Sequence, residues 1–310
     1  MKKIFWAVFS ISQICFLLIC PGEALEAARE GMNLWLKILI PTLLPFLIMT
    51  GILIRTDMTR VLLKPAERIW NTCFGVSSAG AYALVIGLLC GYPVGAKITS
   101  DLYKSKQISH SEAQYLLTFT NHASPVFIRT YLCSLCLEDW IPVKNVVGIL
   151  LLSDLAVMTF FRFVVYKNKI SFVLSDKKKK TSVSSSSGAL LDVSIMNGFE
   201  TITRLGGYIL IFSILSACIS HFGNMENIAG YVISGILELT TGLCRLQNAE
   251  IQMPVKYLLA LFLTAFGGIC VTFQTRSLVT RELSIVPYIT AKLLNGITAV
   301  IFALFFTEIV

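Results

Sequence analysis

AGAYALVIGLLCGYPVGAK, residues 79–97, decides how this chain is folded. The stretch is mostly apolar and close to the roughly 20 residues that a helix needs to cross a bilayer core. Read as one full crossing, it puts Lys97, Lys104 and Lys106 on the side opposite Arg55, Arg60, Lys64 and Arg68. Read as a re-entrant hairpin, it returns all seven basic residues to one side, as cytoplasmic loops require. Gly91-Tyr92-Pro93-Val94-Gly95 supplies the breakers for the turn. Non-helical backbone at membrane depth is tolerated where protein or a water-filled cavity covers it. The hairpin is the expected arrangement.

The rest of the composition agrees with a membrane setting. The 310 residues are 55% hydrophobic and 14% charged, against roughly 25% charged in a soluble domain. The side chains must therefore face hydrocarbon or one another, and the chain is expected to be integral to a bacterial cell membrane. The net charge of +8 comes from short basic runs between apolar segments, not from a face with interleaved aromatics. It reads as a topology signal with membrane lipids as neighbours, and no nucleic acid partner is expected. Nine scattered cysteines form no disulfide framework. Cys133 and Cys136 make one CxxC with no second pair to complete a tetrahedral site, so neither metal nor cofactor is expected. The chain lacks a Walker loop, HExxH and GxSxG, and is not expected to be an enzyme.

Outward from the hairpin, the spans follow one order. Residues 1–22 form an N-terminal transmembrane helix or a signal peptide, the retained helix being favoured. A span over 31–54 is interrupted by Pro41 and Pro45, which should kink it. After the hairpin, 113–131 crosses outward and 143–166 returns. Residues 167–197 read as a basic, Ser-rich cytoplasmic linker with Lys177–Lys180 at its centre. Then come a span over 199–220, a second hairpin over 228–242, and spans over 257–274 and 285–306. The expected fold is an all-α polytopic membrane protein of two inverted repeats, 31–166 and 198–310. Each repeat is span, re-entrant hairpin, span, span. Gly31 and Lys37 match Gly198 and Arg204 in spacing, and Tyr115-Leu116-Leu117 matches Tyr257-Leu258-Leu259. Paired interrupted segments in two halves are the sequence pointer to a transporter's midplane site.

Polar residues at depth are the site candidates, because a charge at a helix centre costs about 2.5–3.5 kcal/mol. Gly91, Tyr92, Pro93 and Gly95 form the first tip, where backbone N–H groups either meet substrate or close a tight turn. Lys97 either balances a substrate carboxylate or snorkels to the surface. Asn121, His122 and Ser124 lie mid-span beside Pro125, which cannot bond the carbonyl of residue 121. They either satisfy that backbone or bind substrate, and His122 is also a candidate carrier of a coupling proton. Thr240 and Thr241 at the second tip are substrate-binding candidates. Glu238 beside them is a candidate for a coupling cation or proton, as is Asp154; hairpin capping and a structural ion pair are the alternatives.

GLLCGYPVGAKITSDLY (87–103) followed by YLLTFTNHASPVFI (115–128) resembles the Gate, or nucleoside-recognition, domain. More closely it resembles the YlbJ, or SpoVV, family of sporulation integral membrane proteins. The resemblance takes in Pro41-Thr42-Leu43-Leu44-Pro45-Phe46 and the lysine-rich central loop. It implies a fold akin to half of a concentrative nucleoside transporter. It also implies the movement of dipicolinic acid, a small organic anion, across the outer forespore membrane during sporulation. Its alternatives are a nucleoside or metal-ion permease of the wider Gate group and a non-transporting sporulation scaffold. Analogy allows a homo-oligomer.

Overall fold

The computed structural model describes residues 2–167, 170, 187–223 and 227–306, and no strand occurs among them. Five of its helices are long and apolar enough to cross a membrane, or six if one bent pair counts as a span. Leu18 and Phe305, 76% and 80% exposed, show how the apolar surface faces outward. Such a surface suits hydrocarbon, not water.

α1 (Lys2–Ile19) packs through Phe16 onto α2 (Pro21–Leu34). α2 runs through a π turn, Trp35–Leu39, into α3 (Ile40–Arg55), making one 35-residue helix. The expected start at Gly31 is thus corrected to Pro21. Proline is at home at a helix start, where its missing N–H is not needed. The carboxylates of Glu23, Glu26 and Glu30 then sit on one face without stopping the helix. Just before Pro41, the π turn widens the backbone where the rings remove donors.

α4 (Met58–Leu63), a 3₁₀ turn and α5 (Glu67–Ile69) lead to a π turn that ends at Gly75, φ 68°. Arg162 donates to the carbonyls of Thr72 and Cys73 there, at 2.9 and 2.8 Å. The chain bends by 80° into α6 (Ser78–Cys90), which pairs with α7 (Val94–Lys104) across the turn at 91–93. This is the expected hairpin. Its start is anchored by the Ser77 hydroxyl, which accepts from Gly80 N, and by the Glu112 carboxylate, which accepts from Ser77 N at 2.6 Å.

The expected continuous span over 113–131 is not there. α8 (His110–Leu116) ends, the chain runs irregularly to Ser124, and α9 (Pro125–Phe127) restarts it and widens into a π turn over Ile128–Cys136. Thr118 and Thr120 turn their hydroxyls onto the carbonyls of Tyr115 and Leu116. The residue before a proline avoids the helical region, and Ser124 caps the new helix by accepting from Phe127 N at 3.2 Å. Proline therefore opens a helix here; it does not kink one.

α10 (Val143–Phe160), continued by a π turn to Val165, is the expected fourth span. Lys177–Lys180 and the serine tract over 181–186 lie outside the described residues. α11 (Ser187–Gly223) opens well before the expected Phe199, so the linker cannot extend to 197. Its early turns are held by packing: Gly198 faces Leu44 and Ile48 of α3, and Ser194 faces Gly51.

α12 (Ile228–Leu237) and α13 (Leu239–Gln247) form the second hairpin, with Glu238 alone as the turn. α14 (Met253–Phe266) and α15 (Gly268–Leu278) replace the expected unbroken span over 257–274. Gly267 and Gly268 both have positive φ, 84° and 82°, a pair that only glycine adopts without strain. α16 (Val286–Phe306) closes the chain. From α11 the order is long helix, hairpin, broken helix, full helix; the first half has these elements too, with the short helices over 58–74 set between its long helix and its hairpin.

The basic loops meet at one end. Gln107 donates to the Ile54 carbonyl at 2.7 Å, and Tyr103 to Glu282 at 2.6 Å. The Gln114 amide clasps the backbone N–H and C=O of Ser284. α10 and the α2–α3 helix both run from the far end to this one. At that far end Trp140 meets Tyr257 edge to face, and His221 pairs with Glu23 at 2.9 Å.

Candidate functional site

Each hairpin tip is fastened to the break in the helix that follows it. At the first tip, Tyr92 N donates to the His122 carbonyl at 2.7 Å, a bond open only because the chain is unwound there. Gly87 and Gly95 lie so close to the Thr120 carbonyl that a Cβ on either would strike it. Gly95 is thus a packing residue. At the second tip, a Cβ on Gly242 would strike Gly235, and one on Gly268 would stand 3.1 Å from the carbonyls of Gly235 and Ile236. Glu238 folds back over its own helix and accepts from Thr240 N, Thr240 Oγ1 and Thr241 N at 3.2, 2.5 and 2.7 Å. A carboxylate at this position satisfies N–H groups that a helix start leaves free and lies at the positive end of its dipole.

Between the tips is a cavity of about 340 Å³. Gly91, Tyr92 and Pro93 line it from one tip, Glu238 and Thr240 from the other, and Ser124 from the unwound strand between them. Phe127 and Tyr131, stacked at 5.1 Å and 10° between planes, give it an aromatic wall. The long helix contributes Pro41, Thr42, Pro45 and Phe46, and α15 contributes Gln274. Among the described residues, Glu238 is the only charged side chain on the lining.

A second cavity, about 120 Å³, lies behind the unwound segment and is lined by His122, Asp154, Thr264 and Asn295 among apolar neighbours. Asp154 accepts from the Asn295 amide at 2.5 Å, and its other oxygen lies 3.9 Å from His122 Nδ1. Thr264 Oγ1 and Asn295 Oδ1 are buried without a partner. Asn121 does not face either cavity. Its amide donates to Thr275 Oγ1 and Tyr288 OH at 3.0 and 3.1 Å, tying the first break to α15 and α16.

A third, more open cavity of about 630 Å³ lies at the far end, beside the second hairpin. Thr241 lines it, with Glu23, Glu26 and Glu30 from α2 and Arg245 from α13.

The candidates named from sequence thus separate. Six of them meet at the central cavity: Gly91, Tyr92, Pro93, Ser124, Glu238 and Thr240. His122 and Asp154 share the small cavity behind it. Lys97 is neither at the cavity nor snorkelling. It is 6% exposed and its ammonium is bound by Asp101 at 2.5 Å. The aromatic wall and Thr42 escaped the sequence reading, although the Pro41–Phe46 motif pointed to that part of the long helix. Cys133 and Cys136 pack as apolar side chains within the second core cluster.

The chain is 26% identical to the sporulation integral membrane protein YlbJ of Bacillus subtilis (strain 168), over 92% of its own length and 78% of that protein's. That likeness agrees with the resemblance carried by residues 87–103 and 115–128. No family model and no solved structure matches it. Integral membrane placement is common ground between this chain's apolar spans and the description of its relative.

Proposed function

We propose that this YlbJ-like protein is a secondary carrier of a small organic anion, with dipicolinate across the outer forespore membrane as its best-matched cargo, and that it is not an enzyme. The observation that carries the reading is the cavity of about 340 Å³ between the two hairpin tips. Its volume falls in the range of small-molecule sites, ~300–1,000 Å³. The stacked Phe127–Tyr131 wall suits a flat aromatic ring, and Ser124, whose hydroxyl oxygen accepts from Phe127 N, keeps its own O–H for a carboxylate oxygen. Glu238 is assigned to coupling, because a bare carboxylate repels the cargo and its oxygens are already engaged by α13. The two halves act as inverted repeats that alternately open the cavity to either side.

One observation favours a second reading. A cavity whose only charged lining group is Glu238 also fits a neutral, hydroxyl-rich cargo such as a nucleoside. Uptake of labelled dipicolinate and uridine into proteoliposomes, wild type beside Phe127→Ala, separates the two. Saturable dipicolinate uptake with KM raised several-fold in the variant supports the anion carrier. Uridine uptake alone moves the nucleoside reading ahead. No uptake of either under imposed ion gradients, with folded protein, leaves the scaffold.

A further inference from the structure

The cavity lining contains no cation, yet a cation is stored next to it. Lys292, two turns into α16, is 3% exposed, and its ammonium has no hydrogen-bond partner. The helix turns Tyr288, Lys292 and Asn295 inward together, at the spacing that shares one face. The other buried lysines behave differently. Lys97, 6% exposed, is paired with Asp101, and Lys256, 5% exposed, donates to the Gln247 carbonyl at 2.7 Å. Arg162 likewise donates to backbone carbonyls. A buried charge is ordinarily satisfied because leaving it alone costs several kcal/mol. Among the described lysines and arginines that are buried, Lys292 is the exception.

Its neighbours show what holds the place. The ring of Tyr92 faces the charge, its centroid 6.0 Å from Nζ, at the outer limit of a cation–π contact. The side-chain stem passes Gly267, where an added Cβ would stand 3.8 Å from Lys292 Cε. Asp154 acts on Lys292 only through space. One of its oxygens is held by Asn295, the other faces His122, and no ion pair with Lys292 forms. Lys292 lines neither the central nor the small cavity, whereas Tyr92 lines the central one, and its own hydroxyl is buried without a partner. Tyr92 therefore touches both the cargo space and the stored charge.

We propose that Lys292 is the counter-charge for a carboxylate of the cargo, and that Tyr92 is its placeholder in the empty protein. On loading, the Tyr92 ring swings aside and the ammonium exchanges a weak ring contact for a charge-assisted hydrogen bond. On release the ring returns. The role rests on the anion-carrier reading and adds to it the residue that selects for negative charge.

Binding to the purified full-length protein tests it, with dipicolinate, its neutral isostere pyridine-2,6-dicarboxamide, and uridine as probes. The proteins are wild type, Lys292→Met and Lys292→Arg. Wild type is expected to bind dipicolinate at least about 30-fold more tightly than the diamide. Lys292→Met should lose that preference and Lys292→Arg should keep most of it. Equal binding of dipicolinate by wild type and folded Lys292→Met overturns the role of Lys292 while leaving the carrier intact. Should Lys292→Met not fold, the wild-type comparison still decides, since equal affinity for dipicolinate and diamide also overturns the proposal. Binding of uridine but of no carboxylate by wild type overturns both this role and the anion reading.

Discussion

Gly95 and Gly148 are both glycines on membrane helices, and their surroundings give them opposite tasks. Gly95 sits where the first hairpin presses against the Thr120 carbonyl, while nothing lies within 4 Å of a Cβ added to Gly148. Gly95→Ala must push the hairpin off the broken helix, and is expected to lower stability by about 1–3 kcal/mol or more. Gly148→Ala only gains helix propensity and should be neutral or stabilising by up to about 1 kcal/mol. Thermal unfolding of the two purified variants checks the contrast. Equal melting temperatures would mean that the hairpin does not rest on Thr120. At this scale the sequence separates polar from apolar well but says little about partners. Lys97 and Lys292 look alike in sequence, each a lysine beside an apolar run. What distinguishes them is Asp101 one turn along for the first, and for the second a ring from a distant hairpin and no hydrogen-bond partner.

Among the elements, the two broken helices hold the site together, and they were the least legible. The hairpins were readable because glycine and proline interrupt apolar runs whose flanking charges must share a side. The breaks were not, because the segments over 113–131 and 257–274 are apolar enough to pass for unbroken spans. Pro125 was legible as a missing donor, but the unwinding also needs Thr118 and Thr120 to turn onto local carbonyls and Tyr92 N to take up the one at His122. Those are tertiary facts. The break therefore depends on the proline together with its partners. Pro125→Ala should let helix reach further back toward residue 121, and amide hydrogen exchange over 121–127 should slow. Unchanged exchange there would assign the break to the hairpin contact alone. The early start of α11 escaped for a related reason. Its first turns are polar enough to read as linker, and only the α3 surface that they meet makes them helix.

Across the whole molecule the charge is divided between two ends. Lysines and arginines on the loops around Arg55, Lys104 and Arg281 gather at one end, where Gln107, Tyr103 and Gln114 tie those loops together. At the far end, the open cavity beside the second hairpin is walled by Glu23, Glu26 and Glu30 against the single guanidinium of Arg245. If the protein carries an anion as proposed, and this cavity is one mouth of its path, the two entrances are unequal. A fixed field of matching sign slows arrival, one of opposite sign speeds it, and both effects fade with salt. A cargo that has left through the acidic mouth is repelled from re-entering, while the basic loops draw fresh cargo toward the other. The protein would then behave as a rectifier, whose preference for one direction is set at its mouths and not at its binding cavity. KM for dipicolinate measured from the two faces of oriented vesicles should be higher on the acidic side at low ionic strength. That gap should shrink in high salt and in Glu26→Gln/Glu30→Gln, and equal values on both faces at low salt would show that the acidic mouth is not on the cargo's path.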